Sequence, residues 1–353
     1  MALVESIFDI SYLSIVLALG VRLLVEKPKE AKLFGIMAIV LGLGDSFHLL
    51  PRVISHLSPG GFPAHVFALS WGKFVTSITM TIFYVLFYYF YRSQSQDRCN
   101  TKRNLIYLLA IVRMVLTALP QNNWGTAQES YLFGIYRNIP FAIMGALLIY
   151  WTYKAKDKPG LKHMALCIIL SFAFYIPVVL WADTVPAVGA LMMPKTVAYL
   201  MIVVLGYKYF IPTFSAKNLL GFSYMFVVMG LFVGVFYREF TKFYGFTAET
   251  HLGKLHVHTL VLGFVLTLIL YLLTKGYDAD RIATLKKPIY IYIGGLTFSI
   301  VMMTIIGIYE VVSEGQKLVS NGALAGMSGL GHIALSIGLV WTIVKIFQYE
   351  SAK

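Results

Sequence analysis

Three histidines in the last third of the chain have a type and spacing that suit metal or haem ligation. His256 and His258 are separated by one residue, and positions i and i+2 of an α-helix point about 200° apart. The two imidazoles cannot bind one metal ion unless the helix unwinds, but either could meet His332 on another helix. Two neutral imidazoles on facing helices suit a b-type haem or a copper or zinc ion. Three glycines leave the helix surface open to a flat macrocycle beside His332: Gly326, Gly329 and Gly331.

Two acidic residues belong to the same candidate cofactor site. Glu239 ends the eighth apolar segment and Glu310 lies near the end of the tenth, so both are expected at the depth of the histidines. Ionisable groups within a membrane span are costly, and their default interpretation is functional. Two structural alternatives stay open. Gly322 and Gly326 form a GxxxG pattern that could mark tight helix packing, and the histidines could be merely hydrogen-bonded.

A second set of polar residues lies in the first seven apolar segments. Asp45, His48 and Arg52 follow the spacing i, i+3, i+7, which is one face of a helix. The other members lie in different segments: Lys73, Arg113, Arg137, Asp183 and Lys195. This set contains five cations and only two acids. The imbalance favours either water that enters from outside or a bound anion, such as a carboxylate metabolite, a lipid headgroup or haem propionates. The structural alternative is ion pairs, together with Lys and Arg side chains that extend to the membrane surface.

The elements that must position these residues are long apolar helices. Hydrophobic residues make up 58% of the chain and charged residues 13%, about half the charged fraction of a soluble domain. Apolar runs of 18 or more residues are typical of membrane spans. The sequence therefore predicts an all-α, polytopic bundle of about eleven spans: 6–26, 33–56, 64–91, 104–120, 131–153, 161–182, 186–210, 218–241, 252–274, 287–311 and 321–346.

The loop charges predict the orientation of these spans. If the N-terminus is outside, the inner segments hold nineteen Lys and Arg residues, the outer segments five and the spans five. This excess on the inner side predicts an N-out, C-in protein, with a bacterial plasma membrane as the expected location. The net charge of +13 has the same cause, so no nucleic-acid partner is expected.

The segment around Pro212 divides the chain into a predicted seven-span domain, residues 1–213, and a four-span domain, residues 214–353. The second contains GVFYREFTKF (234–243), HVHTLVLG (256–263) and GLGH (329–332). With these stretches it resembles an uncharacterised family of small four-span bacterial membrane proteins, a resemblance that implies a conserved unit and no activity. HVHTLVLG is also similar to the His-x-His stretch of haem–copper oxidase catalytic subunits. Those enzymes need further histidines that spans eight and ten lack, so oxygen reduction is not expected.

Three functions are compatible with these residues. The leading hypothesis is redox or metal handling, with haem b or a transition metal held by His332 and either His256 or His258. The second is a transporter or receptor for a small anionic ligand. The third is a non-catalytic assembly subunit with a membrane-protein partner. The chain has no nucleophile elbow and no phosphate-binding loop, which disfavours hydrolase and nucleotide-driven functions and leaves enzymatic activity undecided.

Overall fold

The computed structural model of the protein describes residues 2–182, 184–316 and 322–351, and this part of the chain contains helices and no strands. The helices are α1 (Ala2–Leu24), α2 (Lys29–Leu57), α3 (Val66–Ser95), α4 (Asn100–Ala118), α5 (Tyr131–Lys154), α6 (Met164–Trp181), α7 (Met192–Phe210), α8 (Ala216–Phe243), α9 (His251–His258), α10 (Leu266–Thr274), α11 (Ala279–Val312) and α12 (Gly322–Glu350). A π-helix, Thr259–Val265, joins α9 to α10. Short 3₁₀-helices cover Phe62–His65, Pro120–Asn122 and Pro186–Leu191.

A helix lies at each of the eleven predicted spans, which confirms the all-α polytopic fold. In the described residues, ten helical segments are long and apolar enough to cross a membrane, by length and composition alone. The segment outside that set is α4, which has 19 residues. It carries Lys102, Arg103 and Arg113, so its composition is more basic than that of the others.

Polar residues begin several of these helices. The side chain of Ser130 accepts a hydrogen bond from the backbone N–H of Phe133 at the start of α5. Asp278 does the same for Arg281 at the start of α11, at 2.8 Å. The first N–H groups of a helix have no partner within the helix, so each cap satisfies one of them.

The chain forms two compact units, and the first consists of Ile15–Pro51 and His65–Pro212. Within it α4 packs against α3 and α5, and α6 against α5 and α7. Aromatic rings fill the interior around Tyr84, whose ring centre lies 5.2 Å from that of Phe141. At Gly72 of α3, a Cβ atom would come within 2.2 Å of the Phe47 carbonyl oxygen of α2, so α2 and α3 touch backbone to backbone there.

The second unit consists of Met1–Ser14, Arg52–Ala64 and Thr213–Lys353. Helix α11 is its most buried element and packs against α9 and α12. Gly331 contributes to the α11–α12 contact, because a Cβ there would come within 2.5 Å of Ser299 Oγ. The expectation that Gly331 leaves open space beside His332 is therefore wrong. Gly326 and Gly329 do face open space.

The π-helix begins directly after His258. A π-helix closes its hydrogen bonds over one more residue than an α-helix, and such segments often occur at functional sites. Two of its carbonyl oxygens receive side-chain hydrogen bonds from neighbouring helices. The Tyr292 hydroxyl donates to Leu262, and the Ser223 hydroxyl donates to Phe264 at 3.2 Å.

Candidate anion cavity and histidine pair

The first unit contains a cavity of about 170 Å³ that gathers five of the eight residues predicted to bind an anion. They come from five different helices of that unit. The basic and imidazole groups of its lining are His48, Lys73, Arg113, Arg137 and Lys195. The structure therefore brings into one space side chains that are far apart in the sequence.

Arg113 is the most deeply buried cation of this cavity. The residue is only 2% exposed. Its guanidinium carbon lies 3.3 Å from the centre of the Phe141 ring, so the ring provides the nearest electrostatic support. Its Nε and Nη1 atoms are buried and have no hydrogen-bond partner among the described residues. A buried charge without such partners is costly.

Arg137 and Lys195 also lie against aromatic rings. Arg137 donates a hydrogen bond of 2.6 Å from Nη1 to Asn122 Oδ1, and its guanidinium carbon lies 4.3 Å from the Trp124 ring centre. The Nζ atom of Lys195 lies 4.8 Å from the ring centre of Tyr175. No ion pair of Arg113, Arg137 or Lys195 occurs within the described ranges.

Carboxylates do reach the other cations of the predicted set. Lys73 Nζ lies 3.3 Å from both carboxylate oxygens of Glu129. The charge of Asp45 acts on Lys195. Arg52 belongs to the second unit, where it forms an ion pair with Glu5. Asp183 lies outside the described residues.

These pairs correct the predicted imbalance of five cations against two acids. Glu5 is 47 residues from its partner Arg52, and Glu129 is 56 residues from Lys73. Both acids fall just outside the predicted spans, at their outer ends, so a count restricted to the spans missed them. The charge of Glu129 also acts on Arg137, so the excess positive charge is concentrated on Arg113.

The rest of the cavity lining is divided between hydroxyl groups and apolar side chains. Thr76 and Ser77 use their hydroxyls to donate to backbone carbonyls, those of Gly44 and Lys73. The apolar lining consists of Met80, Phe141, Val178 and Met192. A ligand here would meet cations on some sides and hydrocarbon on others.

In the second unit, the rings of His258 and His332 are neighbours in an edge-to-face arrangement. Their ring centres lie 6.3 Å apart, and the ring planes are inclined by 82°. In each ring Nδ1 lies close to the backbone carbonyl four residues earlier, Lys254 at 3.0 Å and Ser328 at 3.2 Å. An Nδ1–H donated to a carbonyl leaves Nε2 as the lone-pair nitrogen, the tautomer that a metal-binding histidine needs.

The other members of the predicted cofactor set lie in separate contacts. His256 stacks on Tyr237 with ring centres 6.4 Å apart, and its Nδ1 is buried without a hydrogen-bond partner in the described structure. Glu239 forms an exposed ion pair with Arg238 at 3.1 Å. Within the described ranges, no three His, Cys, Asp or Glu side chains form a group that could hold a metal ion.

Glu310 pairs with His251, a histidine that was not among the predicted site residues. One carboxylate oxygen lies 2.7 Å from His251 Nδ1, and the other accepts the His251 backbone N–H at 2.8 Å. The buried Glu310 therefore fixes both the first residue of α9 and its imidazole. His251 lies seven residues before His258, which is about two helical turns. This spacing could have predicted that the two histidines share one face of the helix.

Residues 216–349 match the family described as "Protein of unknown function (DUF2871)". The matched range covers α8 to α12 and confirms the predicted resemblance of the C-terminal part to an uncharacterised family. No curated protein and no solved structure matches the chain.

Proposed function

We propose that this polytopic membrane protein, whose C-terminal helices match a family of unknown function, binds a small anion in the cavity of its first unit. It would act there as a transporter or a receptor, in a bacterial plasma membrane. The observation that carries the proposal is that two guanidinium groups, Arg113 and Arg137, line one cavity and neither forms an ion pair within the described residues, while Arg113 Nε and Nη1 are buried without hydrogen-bond partners there.

The physical support is the cost of the alternative. A buried guanidinium loses its hydration, and without a counter-charge the effective penalty is several kcal/mol. Phe141 and Trp124 offset part of it, since a cation–π contact contributes about 2 kcal/mol when desolvated. An anion between the two guanidiniums would add charge-assisted hydrogen bonds, which are about twice as strong as neutral ones.

Thermal melting of the purified protein in lipid nanodiscs tests the proposal. The probes are inorganic phosphate, succinate and butanoate, with choline as a cationic control. At least one anion is expected to raise the melting temperature of the wild type and to leave Arg113→Met unchanged. Arg238→Gln is the matched control, because Arg238 is exposed and belongs to the other unit. A wild type that none of the anions stabilises contradicts the proposal.

Uptake measurements separate the two forms of the function. Proteoliposomes would be loaded with buffer and given the labelled anion that stabilises the protein. Uptake that Arg113→Met abolishes supports a transporter. Saturable binding without uptake supports a receptor.

Redox or metal handling is a second candidate function, favoured by the approach of His258 to His332. Two imidazoles on opposite sides of one metal ion, each bonded at about 2 Å, have ring centres roughly 6 Å apart, and a tetrahedral angle brings them about 1 Å closer. The separation of 6.3 Å is short enough for the two imidazoles to share one ion. His258 and His332 would hold the ion of haem b or a transition metal, and in haem the macrocycle would supply the other four ligands.

Titration of the purified protein with haemin tests this second candidate. We expect a low-spin spectrum that is lost in His258→Ala and in His332→Ala. His256→Ala, which alters the imidazole two residues away, should keep it. Binding of Zn²⁺ or Cu²⁺ instead, with the same dependence on His258 and His332, would support metal handling and reject haem.

A protein that binds neither anion nor cofactor and co-purifies with another membrane protein would support an assembly subunit.

A further inference from the structure

A second cavity adjoins the cationic one within the same unit. It measures about 150 Å³ and lies between α5 and α6. Apart from Asn138 and the Tyr175 hydroxyl, its lining is hydrocarbon, including Ile139, Ala142, Phe172 and Ile176. An apolar space next to buried charges suits a ligand that has both a hydrocarbon part and a charged part.

The two cavities share two aromatic side chains, Phe141 and Tyr175. Their ring centres lie 5.9 Å apart, with the planes at 89°. Arg113 contacts the Phe141 ring at 3.3 Å, and Lys195 contacts the Tyr175 ring at 4.8 Å. The cationic groups are therefore one ring away from the apolar cavity.

The apolar cavity also has a side that faces away from the protein interior. Ile139 is 50% exposed and Ile176 is 42% exposed. Both lie in helices that are long and apolar enough to cross a membrane, where exposed aliphatic side chains face lipid tails. A ligand with a hydrocarbon part can reach this cavity from the bilayer.

We infer that the ligand of the cationic cavity is an amphiphilic carboxylate, whose head lies at Arg113 and Arg137 and whose short alkyl chain or single aromatic ring fills the cavity between α5 and α6. This inference rests on the proposed anion-binding function and names the chemical class of its ligand. The apolar cavity favours a ligand with a hydrocarbon part, and the guanidinium groups favour a ligand with a negative charge.

The test is a chain-length series measured in nanodiscs. The probes are acetate, butanoate and hexanoate, with hexanol as the neutral control and with partition into empty nanodiscs subtracted. Burying one methylene contributes about fourfold in affinity, so binding should strengthen by roughly that factor per added carbon until the cavity is full. Hexanol should bind far more weakly than hexanoate.

Two variants localise the effect. Ala142→Phe fills the apolar cavity, so it should abolish the gain with chain length while acetate binding stays unchanged. Retained acetate binding also shows that the variant is folded. Ile143→Phe is the matched control, because Ile143 is the next residue of α5 and lines neither cavity. It should leave the series unaltered.

The possible failures are distinguishable. Arg113-dependent binding that is equally strong for all chain lengths would overturn the amphiphile and keep the anion-binding function. Equal binding of hexanol and hexanoate would also overturn it. If neither phosphate nor any of the carboxylates binds, the result contradicts the proposed anion-binding function and this inference together.

Discussion

The guanidinium group of Arg113 lies against the face of Phe141, 3.3 Å from carbon to ring centre, and its Nε and Nη1 atoms are buried without hydrogen-bond partners in the described structure. The ring stabilises the cation by about 2 kcal/mol. Loss of hydration costs several kcal/mol. The cost of dehydration exceeds the gain from the ring as long as no anion is bound. The buried Arg113 therefore lowers the stability of the anion-free protein.

We expect Arg113→Met to raise the melting temperature of the anion-free protein. The substitution keeps a long apolar side chain on Phe141 and removes the uncompensated charge, and replacing buried charges with hydrophobic residues can stabilise by about 1–4 kcal/mol. Differential scanning calorimetry in anion-depleted buffer measures the effect. Phe141→Leu should destabilise the wild type more than it destabilises Arg113→Met, and equal losses in both backgrounds would contradict the cation–π contact.

Glu129 should weaken anion binding through Lys73. Its carboxylate lies 3.3 Å from Lys73 Nζ and partly neutralises a cation of the cavity. Glu129→Gln is therefore expected to tighten anion binding several-fold. The stability change should stay within about 1 kcal/mol, since the pair is partly exposed. Isothermal titration calorimetry at two salt concentrations measures the change, which should shrink at high salt.

Glu249→Gln serves as the control for this substitution. Glu249 is an exposed acid of the other unit, and its loss changes the net charge of the protein by the same amount. It should leave the affinity unaltered. Weaker binding in Glu129→Gln would show that Glu129 orients Lys73 rather than competing with the ligand.

The fold could be predicted because its main cause is visible in the sequence. Long apolar runs must become helices in hydrocarbon, where every backbone polar group needs an internal partner. The predicted limits of most spans are close to those of the helices. The largest shift is in α11, which begins at Ala279 rather than at 287, because Asp278 caps it and Pro288 is accommodated within it.

The partners of the polar residues could be predicted only in part. Hydropathy shows that a cation in a span needs a partner, but it does not show which loop supplies that partner. Glu5 and Glu129 are far in sequence from the cations they pair with, so helical spacing could not identify them. The choice between His256 and His258 depends on helical phase. That phase directs His258 to His332 and His256 to Tyr237, and it follows from tertiary packing rather than from local sequence.

Gly72→Ala should separate α2 from α3. The added Cβ would meet the Phe47 carbonyl oxygen at 2.2 Å and the His48 Cα at 2.9 Å, and both are backbone atoms that cannot rotate away. Overpacking of this kind typically costs about 1–3 kcal/mol. We expect a lower melting temperature, together with weaker anion binding because His48 lines the cavity.

Gly134→Ala is the matched control for this overpacking. Gly134 is also a helical glycine of the first unit, and a Cβ there meets nothing within 4 Å. Alanine has the higher helix propensity, so this variant should be neutral or slightly stabilised. Equal destabilisation of the two variants would contradict the close approach of α2 and α3.

Asp97, between α3 and α4, should give the protein an acid-dependent stability. Burial acts to raise the pKa of its carboxyl group, but hydrogen bonds from the Lys102 ammonium and the Cys99 backbone N–H outweigh it and hold the pKa below its ordinary value of 3.8. A carboxyl group whose pKa is lower in the folded state stabilises the protein fully above its unfolded-state pKa. That contribution is lost as the pH falls through the folded-state pKa.

Asp97→Asn removes this contribution, so the two proteins should differ most at neutral pH and converge as the pH falls below about 4. The difference at neutral pH should be at most about 1 kcal/mol, because Lys102 is partly exposed. Melting curves in nanodiscs from pH 3 to pH 7 measure it. Glu249→Gln, at an exposed acid of another loop, should follow the wild type over the whole range. A constant difference between Asp97→Asn and the wild type would mean that the loop depends on the shape of the side chain and not on its charge.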